Sequence, residues 1–393
     1  MKKWISIFLW WIFLLPCGSS QDALYPEVQI SLLTCSPGDE LYSIYGHNAL
    51  RIRNSITQTD IVYNYGTFDF NTPGFALKFM RGKLPYLLST ATFEDFMLEY
   101  DYFHRSVREQ ILQLDSLEKI SIIQYLNENM LPENRAYKYD FFMDNCATRL
   151  RDVLEKNIQN LTWDTTAASG KTFRQLIKEY QINKPWTNFG IDLIIGAPAD
   201  NKTTLSQEMF LPDYLEHAVE KATLGREPAT RLQMAKYELL SFDNPIGKIN
   251  FLLTPYFLFS LLLLLEIVLF FRFSPLSKNK LIKIYDIIWM VVIFLGALLM
   301  LFMWFGTDHI PTTRNLNILW ANLLIPFWYC TRHFIKSSKF ILLFICICLV
   351  ISIINSLPTF QILPQYFHPV VAIISITLLI KLWRIRISNP PQS

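Results

Sequence analysis

Cys146 lies in the stretch Tyr137-Lys-Tyr-Asp-Phe-Phe-Met-Asp-Asn-Cys-Ala-Thr-Arg-Leu-Arg-Asp152. Asp144 and Asn145 are both good helix N-caps, and Cys146, Leu150, Val153 and Leu154 recur at helical spacing. The thiol is therefore expected in the first turn of an amphipathic helix. Backbone N–H groups and the positive end of the helix dipole favour thiolate there, which makes a cysteine nucleophilic near neutral pH. Its base is expected in Tyr45-Gly-His-Asn-Ala-Leu-Arg-Ile-Arg53, where His47 opens a run with strand alternation, Leu50 and Ile52 against Ala49 and Arg51. A third polar group commonly orients such an imidazole. Asn64, on a neighbouring strand expected over 60–66, suits that role, and Tyr63 is its rival because alternation alone leaves the strand register open.

The elements that must position these groups read as strands first and helices afterwards. Val28, Ile30 and Leu32 alternate with Gln29 and Ser31, and Ser36-Pro-Gly-Asp39 ends that run before the His47 strand begins. Helical patterns follow at 92–105 and 116–130, then at Cys146 and at 171–180, which makes the class α+β. Taken singly, a cysteine at a helix start is more often packed than reactive, and a strand histidine is more often satisfied by hydrogen bonds than basic. Cys17, Cys330, Cys346 and Cys348 fall in apolar stretches, leaving Cys35 and Cys146 in the polar region. These two could pair with each other in an oxidising compartment, which would abolish the chemistry. Their number and spacing make neither a disulfide framework nor a zinc pattern, and no metal or organic cofactor is called for. Arg105 and Arg108 read as solvent-facing.

At 51% hydrophobic residues and a mean hydropathy of +0.23, the chain is too apolar for a soluble globule and too interrupted for a membrane bundle alone. A net charge of +3 leaves no nucleic-acid footprint. Lys2 and Lys3, the apolar run at 4–15 and Gly18-Ser-Ser20 read as a signal peptide over 1–20. A lipoprotein leader modified at Cys17 ranks below it because Pro16 precedes the cysteine, and an uncleaved anchor is the third reading. An extracytoplasmic domain over 21–245 and a membrane domain over 246–393 follow. The second holds five apolar runs near 251–271, 284–305, 316–330, 340–354 and 369–382. The intervening cytoplasmic segments carry Arg272, Lys278, Lys280 and Lys283, then Arg332, Lys336 and Lys339, then Lys381, Arg384 and Arg386. The opposite loops between runs carry only Arg314, so the charge bias agrees with the leader. Glu266, deep in the first span, is a functional candidate or interhelical glue, while Asp286 is expected to reach water and Trp304 and Trp320 to sit in an interfacial belt.

Leu33-Thr-Cys-Ser-Pro-Gly38, Tyr45-Gly-His-Asn-Ala-Leu50, Tyr63-Asn-Tyr-Gly-Thr-Phe-Asp-Phe70 and Tyr139-Asp-Phe-Phe-Met-Asp-Asn-Cys-Ala-Thr148 together resemble the Lnb-type periplasmic domain. The order of histidine, second-strand polar residue and Asn-Cys also resembles the circularly permuted NlpC/papain-like fold shared with lecithin:retinol acyltransferase. The apolar runs resemble the five-helix membrane part attached to Lnb-type domains. The resemblance implies a permuted NlpC/papain-like α+β domain followed by an all-α five-helix transmembrane bundle in the bacterial inner membrane, with the catalytic domain facing the periplasm. Cys146 would be the nucleophile, His47 the base and Asn64 the orienting residue, where lecithin:retinol acyltransferase has a second histidine. Tyr45, Asn48, Tyr63 and Asn145, which flank these three, are the candidates for substrate contact. The segments Pro185–Gly196 and Glu208–Leu215 are given a supporting or substrate-groove role.

The implied activity is lipoprotein N-acylation, with a membrane phospholipid as acyl donor and the diacylglyceryl cysteine of lipoproteins as acceptor. A membrane-anchored cysteine amidase acting on cell-wall peptides is the alternative, and a non-catalytic assembly factor held by a Cys35–Cys146 disulfide is the third reading.

Overall fold

Central strands come from the best-alternating sequence. In the computed structural model, which describes residues 27–40, 42–226, 230–243, 249–272, 279–335, 337–357 and 359–388, the leader expected at 1–20 lies outside the described residues. Strands β1 (Val28–Cys35), β2 (His47–Asn54) and β3 (Thr59–Thr67) are antiparallel neighbours. The short helix α1 (Phe75–Met80) leads to β4 (Pro85–Thr92), α2 (Phe93–Tyr102), β5 (Val107–Leu112), α3 (Ser116–Met130), β6 (Ala136–Lys138) and α4 (Cys146–Asn157). Next come β7 (Leu161–Thr162), α5 (Phe173–Glu179), α6 (Pro185–Ile194), α7 (Leu205–Glu208), α8 (Pro212–Lys221), β8 (Thr223–Leu224), β9 (Thr230–Arg231) and β10 (Gln233–Leu240). The main sheet has the order β10-β5-β1-β2-β3-β4-β6, and β7-β8-β9 form a small second one.

Period-two alternation covers both faces of the main sheet. Ile30, Leu32, Leu50 and Tyr65 pack with Leu150, Val153 and Leu154 of α4 and Leu126 of α3. Leu33, Cys35, Ala49 and Val62 pack on the other face with Phe96 and Tyr100 of α2. Strands β4, β5 and β10 were not foreseen; β4 pairs with the preceding strand β3, while β5 and β10 are held by pairing to strands distant in sequence.

The helical half contains α9 (Pro255–Arg272), α10 (Lys280–Phe305), α11 (Leu324–Thr331), α12 (Ser338–Asn355) and α13 (Val370–Ser388). Among the described residues, α9, α10 and α12 are long and apolar enough to cross a membrane. The third expected span is corrected. Its sequence divides into a 3₁₀ turn at Leu316–Leu319 and the eight-residue α11, about 12 Å long against a core of ~30 Å. The physical reason is polar: Asn315 and Asn317 donate to main-chain carbonyls of α6 and tie the chain down before a helix can begin. Trp320, expected at an interface, is buried and donates to Asn317.

The charges around α13 are also corrected. Lys381 is fully buried, its Nζ 2.7 Å from Glu266 Oε2 and 3.0 Å from Asp286 Oδ1, and Arg384 Nε lies 2.7 Å from Glu266 Oε1. Asp286 therefore does not reach water, and Lys381 and Arg384 neutralise carboxylates instead of marking a cytoplasmic loop. Glu266 is an interhelical tie, because an unpaired carboxylate at that depth would cost far more than this paired one.

The two halves meet along α6. Trp186 Nε1 donates to Leu253 O at 2.7 Å, Phe189 packs in the helical core, and Asn315 Nδ2 donates to Leu193 O and Ile194 O at 2.7 and 2.9 Å. Gly196 N–H donates to Pro311 O at 2.8 Å, and a Cβ at Gly196 would collide with the Thr313 carbonyl. Arg174, buried beneath, links Asp192 and Asp200 and reaches the carbonyls of Ile195 and Gly196. The segment expected to support a substrate groove is thus the joint to the membrane half.

Candidate active site

Helix α4 begins at Cys146, and of the two candidate caps Asn145 is the one that acts. Its Oδ1 accepts the N–H groups of Ala147 and Thr148 at 2.9 and 3.0 Å, and Thr148 Oγ1 accepts the Asn145 N–H, closing a capping box. Asn145 Nδ2 donates to Phe141 O and Phe210 O, so the buried amide is fully engaged in fixing the start of the helix. Asp144 pairs with Arg149.

The thiol enters the sheet where two strands part. Pairing of β2 with β3 runs only as far as Leu50–Tyr63, whereas β2 stays paired with β1 up to His47–Cys35. Cys146 meets residues beyond that fork. The main-chain N–H groups of Asn48, Ala147 and Cys146 itself are near enough to the thiol to favour negative charge on it, and its Cβ is 3.5 Å from where a Cβ on Gly66 would stand. Gly66 adopts φ +92°, a left-handed conformation that glycine tolerates and other residues rarely adopt.

One residue before Asn48, His47 Nε2 lies 3.2 Å from Asn64 Oδ1. An amide oxygen only accepts, so Nε2 carries the proton and Nδ1 is the basic nitrogen. The register brings Asn64, not Tyr63, to the imidazole: the Tyr63 hydroxyl points to Asn127 Oδ1 of α3 at 3.5 Å. No hydrogen bond joins His47 directly to Cys146 among the described residues; their common neighbour is the Asn48 main chain. Asn48 Nδ2 donates to Thr34 Oγ1 at 2.9 Å, while its buried Oδ1 has no partner among the described residues. Tyr45 accepts from Gln181 Nε2 at 2.7 Å and packs its ring on Phe141.

The resting electrostatics correct one expectation. Burial pushes the Cys146 thiol above its ordinary range, and the three N–H groups and nearby Arg105 offset only part of that. Burial also brings His47 down to about 4, against the Asn64 contact and aided by Arg105. The pair is therefore neutral thiol and neutral imidazole at pH 7, not the thiolate that a helix N-terminus alone would favour. Cys35 and Cys146 are both free, so the disulfide reading is corrected too. Cys35 lies on the α2 face beside Tyr100, its thiol pushed up to about 12 by burial.

Two neighbours were missed in the sequence. Arg105, expected in solvent, donates Nε to Ser36 O at 2.9 Å and lies over the Tyr100 ring, close enough to act on both Cys146 and His47. Arg108 likewise pairs with Asp213 and Glu216. The Tyr137 hydroxyl is buried without a hydrogen-bond partner among the described residues, 3.9 Å from the Gly66 Cβ position. Its alternation with Tyr139 just ahead of Asn145-Cys146 was the available signal. Among the described residues no group of three or more His, Cys, Asp or Glu side chains could hold a metal ion.

Comparison with known proteins bears on both halves. The model of the Lnb N-terminal periplasmic domain matches residues 21–179, and that of the Lnb transmembrane domain matches residues 247–389. No curated protein and no solved structure matches the chain. An α+β sheet domain followed by apolar helices, in the order of these two models, is a membrane protein with a periplasmic domain, and the chain belongs to the Lnb-type family.

Proposed function

We propose that this protein is a lipoprotein N-acyltransferase of the bacterial inner membrane. Cys146 takes an acyl chain from a phospholipid and passes it to the α-amino group of the diacylglyceryl cysteine on a lipoprotein. The observation that carries this reading is the Cys146 thiol at the start of α4, with main-chain N–H groups nearby and the His47–Asn64 pair on the adjoining strands, in a domain joined by buried hydrogen bonds to apolar helices. A soluble thiol hydrolase has no use for such a joint, whereas an enzyme with a lipid donor must hold its sulfur near the headgroups.

The chemistry follows from two neutral groups. As the thiol attacks the ester carbonyl, its proton passes to His47 Nδ1, and Asn64 holds the ring through Nε2–H. The N–H groups around the sulfur stabilise negative charge developing there and on the adjacent carbonyl oxygen. Collapse breaks the ester C–O bond, the leaving alkoxide takes the proton from His47, and a lysophospholipid departs from the thioester. The lipoprotein amine then attacks the thioester, gives up its proton through His47, and leaves an amide and a regenerated thiol.

The test is the mass of a lipoprotein N-terminus from cells carrying the wild-type protein or Cys146→Ala. Retention of diacylated lipoprotein in the variant is expected, and normal triacylation would sink the assignment. Release of peptidoglycan fragments by the purified wild-type protein, with lipoproteins unchanged, would favour amidase chemistry instead.

A further inference from the structure

Helix α1 has no buried residue, and Leu77, Phe79 and Met80 are 54%, 40% and 48% exposed. An apolar surface on a six-residue helix is costly in water, yet this one is held in a definite place. Its end is tied to the extracytoplasmic end of α10: Arg81 Nε donates to Gly306 O at 3.3 Å, the Asp308 N–H donates to Arg81 O at 2.9 Å, and His309 Nε2 is 3.3 Å from Phe79 O. Lys138 pairs with Asp308 at 2.9 Å and braces the same loop. Phe305 and Ile310, on either side of that loop, are exposed as well, so the apolar surface of α10 continues towards α1. Lys78, Arg81 and Lys83 supply positive charge around the exposed side chains. Apolar residues set among cations are what a segment lying in the headgroup region of a membrane presents.

From α1 a row of aromatic rings runs inward. Centroids are 6.0 Å apart between Phe79 and Phe75, 5.8 Å between Phe75 and Phe68, 5.3 Å between Phe68 and Tyr86, and 4.2 Å between Tyr86 and Tyr139. Tyr139 and Cys146 both pack against the main core cluster, and Phe68 follows Gly66, the residue under Cys146, by two positions. The row thus runs from the exposed helix to Tyr139, which lies near enough to Cys146 for the two to interact electrostatically.

We propose that α1 dips into the outer leaflet of the membrane, and that the aromatic row guides a phospholipid acyl chain from there to Cys146. The second part rests on the acyltransferase reading; the first does not.

The test uses the full chain carrying Cys146→Ala in phospholipid vesicles, so that labelling is independent of turnover. A benzophenone side chain replaces Phe79, or Leu299 of α10 as a lipid-exposed reference, or Leu98, exposed on α2, as a control. After irradiation, phospholipid adducts are expected at 79 and 299 and not at 98. Adducts at 299 without adducts at 79, protein adducts alone at 79, or equal lipid labelling at 79 and 98 would each overturn the membrane contact. For the path, a chain with Leu77→Asp, Phe79→Asp and Met80→Asp should lose transfer from vesicle phospholipid while retaining its fold by circular dichroism. Undiminished transfer by a chain shown active as wild type would overturn the path and leave both the acyltransferase reading and the lipid adduct standing.

Discussion

Replacing Asn64 tests whether His47 acts as a base held by its neighbour. The contact is a single hydrogen bond of 3.2 Å between a buried amide and a half-buried imidazole. Such a bond is worth about 0.5–1.5 kcal/mol net, so Asn64→Ala should slow transfer by about 2- to 13-fold through kcat, with KM little changed. The pH profile is the sharper readout. Only neutral imidazole can accept the thiol proton, so the rate falls as pH drops through the His47 pKa, about 4 in the wild type. The Asn64 contact raises that pKa, so Asn64→Ala should move the acid limb lower. Asn64→Asp puts a carboxylate beside the ring, and an opposite charge at this range shifts a pKa by roughly 1–3 units. The acid limb should then rise to about pH 5–7. The assay is acyl transfer from vesicles to a diacylated lipopeptide between pH 2.5 and 8, read by mass spectrometry. An Asp variant that is folded and active with an unmoved acid limb would refute the reasoning.

Asn145→Ala removes the cap of α4 and strips the Phe141 and Phe210 carbonyls of a donor. A loss of about 2–4 kcal/mol in unfolding free energy is expected, with a lowered kcat, and an unchanged melting temperature would count against the capping account. Gly196→Ala should loosen the joint between the halves, because the added methyl meets the Thr313 carbonyl; hydrogen exchange that stays as slow as wild type at Leu193–Ile195 would contradict this. Glu266→Gln leaves Lys381 and Arg384 with one carboxylate in place of two and should cost about 3–5 kcal/mol, seen as a fall in the melting temperature in detergent. A variant as stable as the wild type would mean that the cluster is not a tie.

What could be read from the chain follows from which forces are local. The Cys146 helix, its capping dipeptide and the strands of His47 and Asn64 announce themselves through spacing and alternation over a few residues. Strand β5 does not: Val107-Arg-Glu-Gln-Ile-Leu112 has weak alternation, and its place between β1 and β10 is fixed by partners far away in sequence. The same limit hid Arg105, which reaches the site only because β5 lies beside β1. Register chose Asn64 over Tyr63, and burial, which no spacing pattern reports, reversed the expected ionisation of Cys146. In the membrane half, hydropathy located the apolar runs but not the asparagines that break the third, nor the carboxylates that draw Lys381 and Arg384 inward.

The paired charges of α13 bear on how the protein is made. Its 19 residues include Lys381, Arg384 and Arg386, and a cation at mid-membrane costs ~2.5–3.5 kcal/mol on insertion scales. This helix is synthesised after α9 and α10, which hold its counter-ions, so it should not leave the translocon into lipid by itself. Insertion is then a joint event in which the earlier helices wait at the exit for the later one. Chains truncated before residue 370 would carry Glu266 and Asp286 as exposed liabilities, and a pulse-chase experiment should find them degraded faster than the full-length protein.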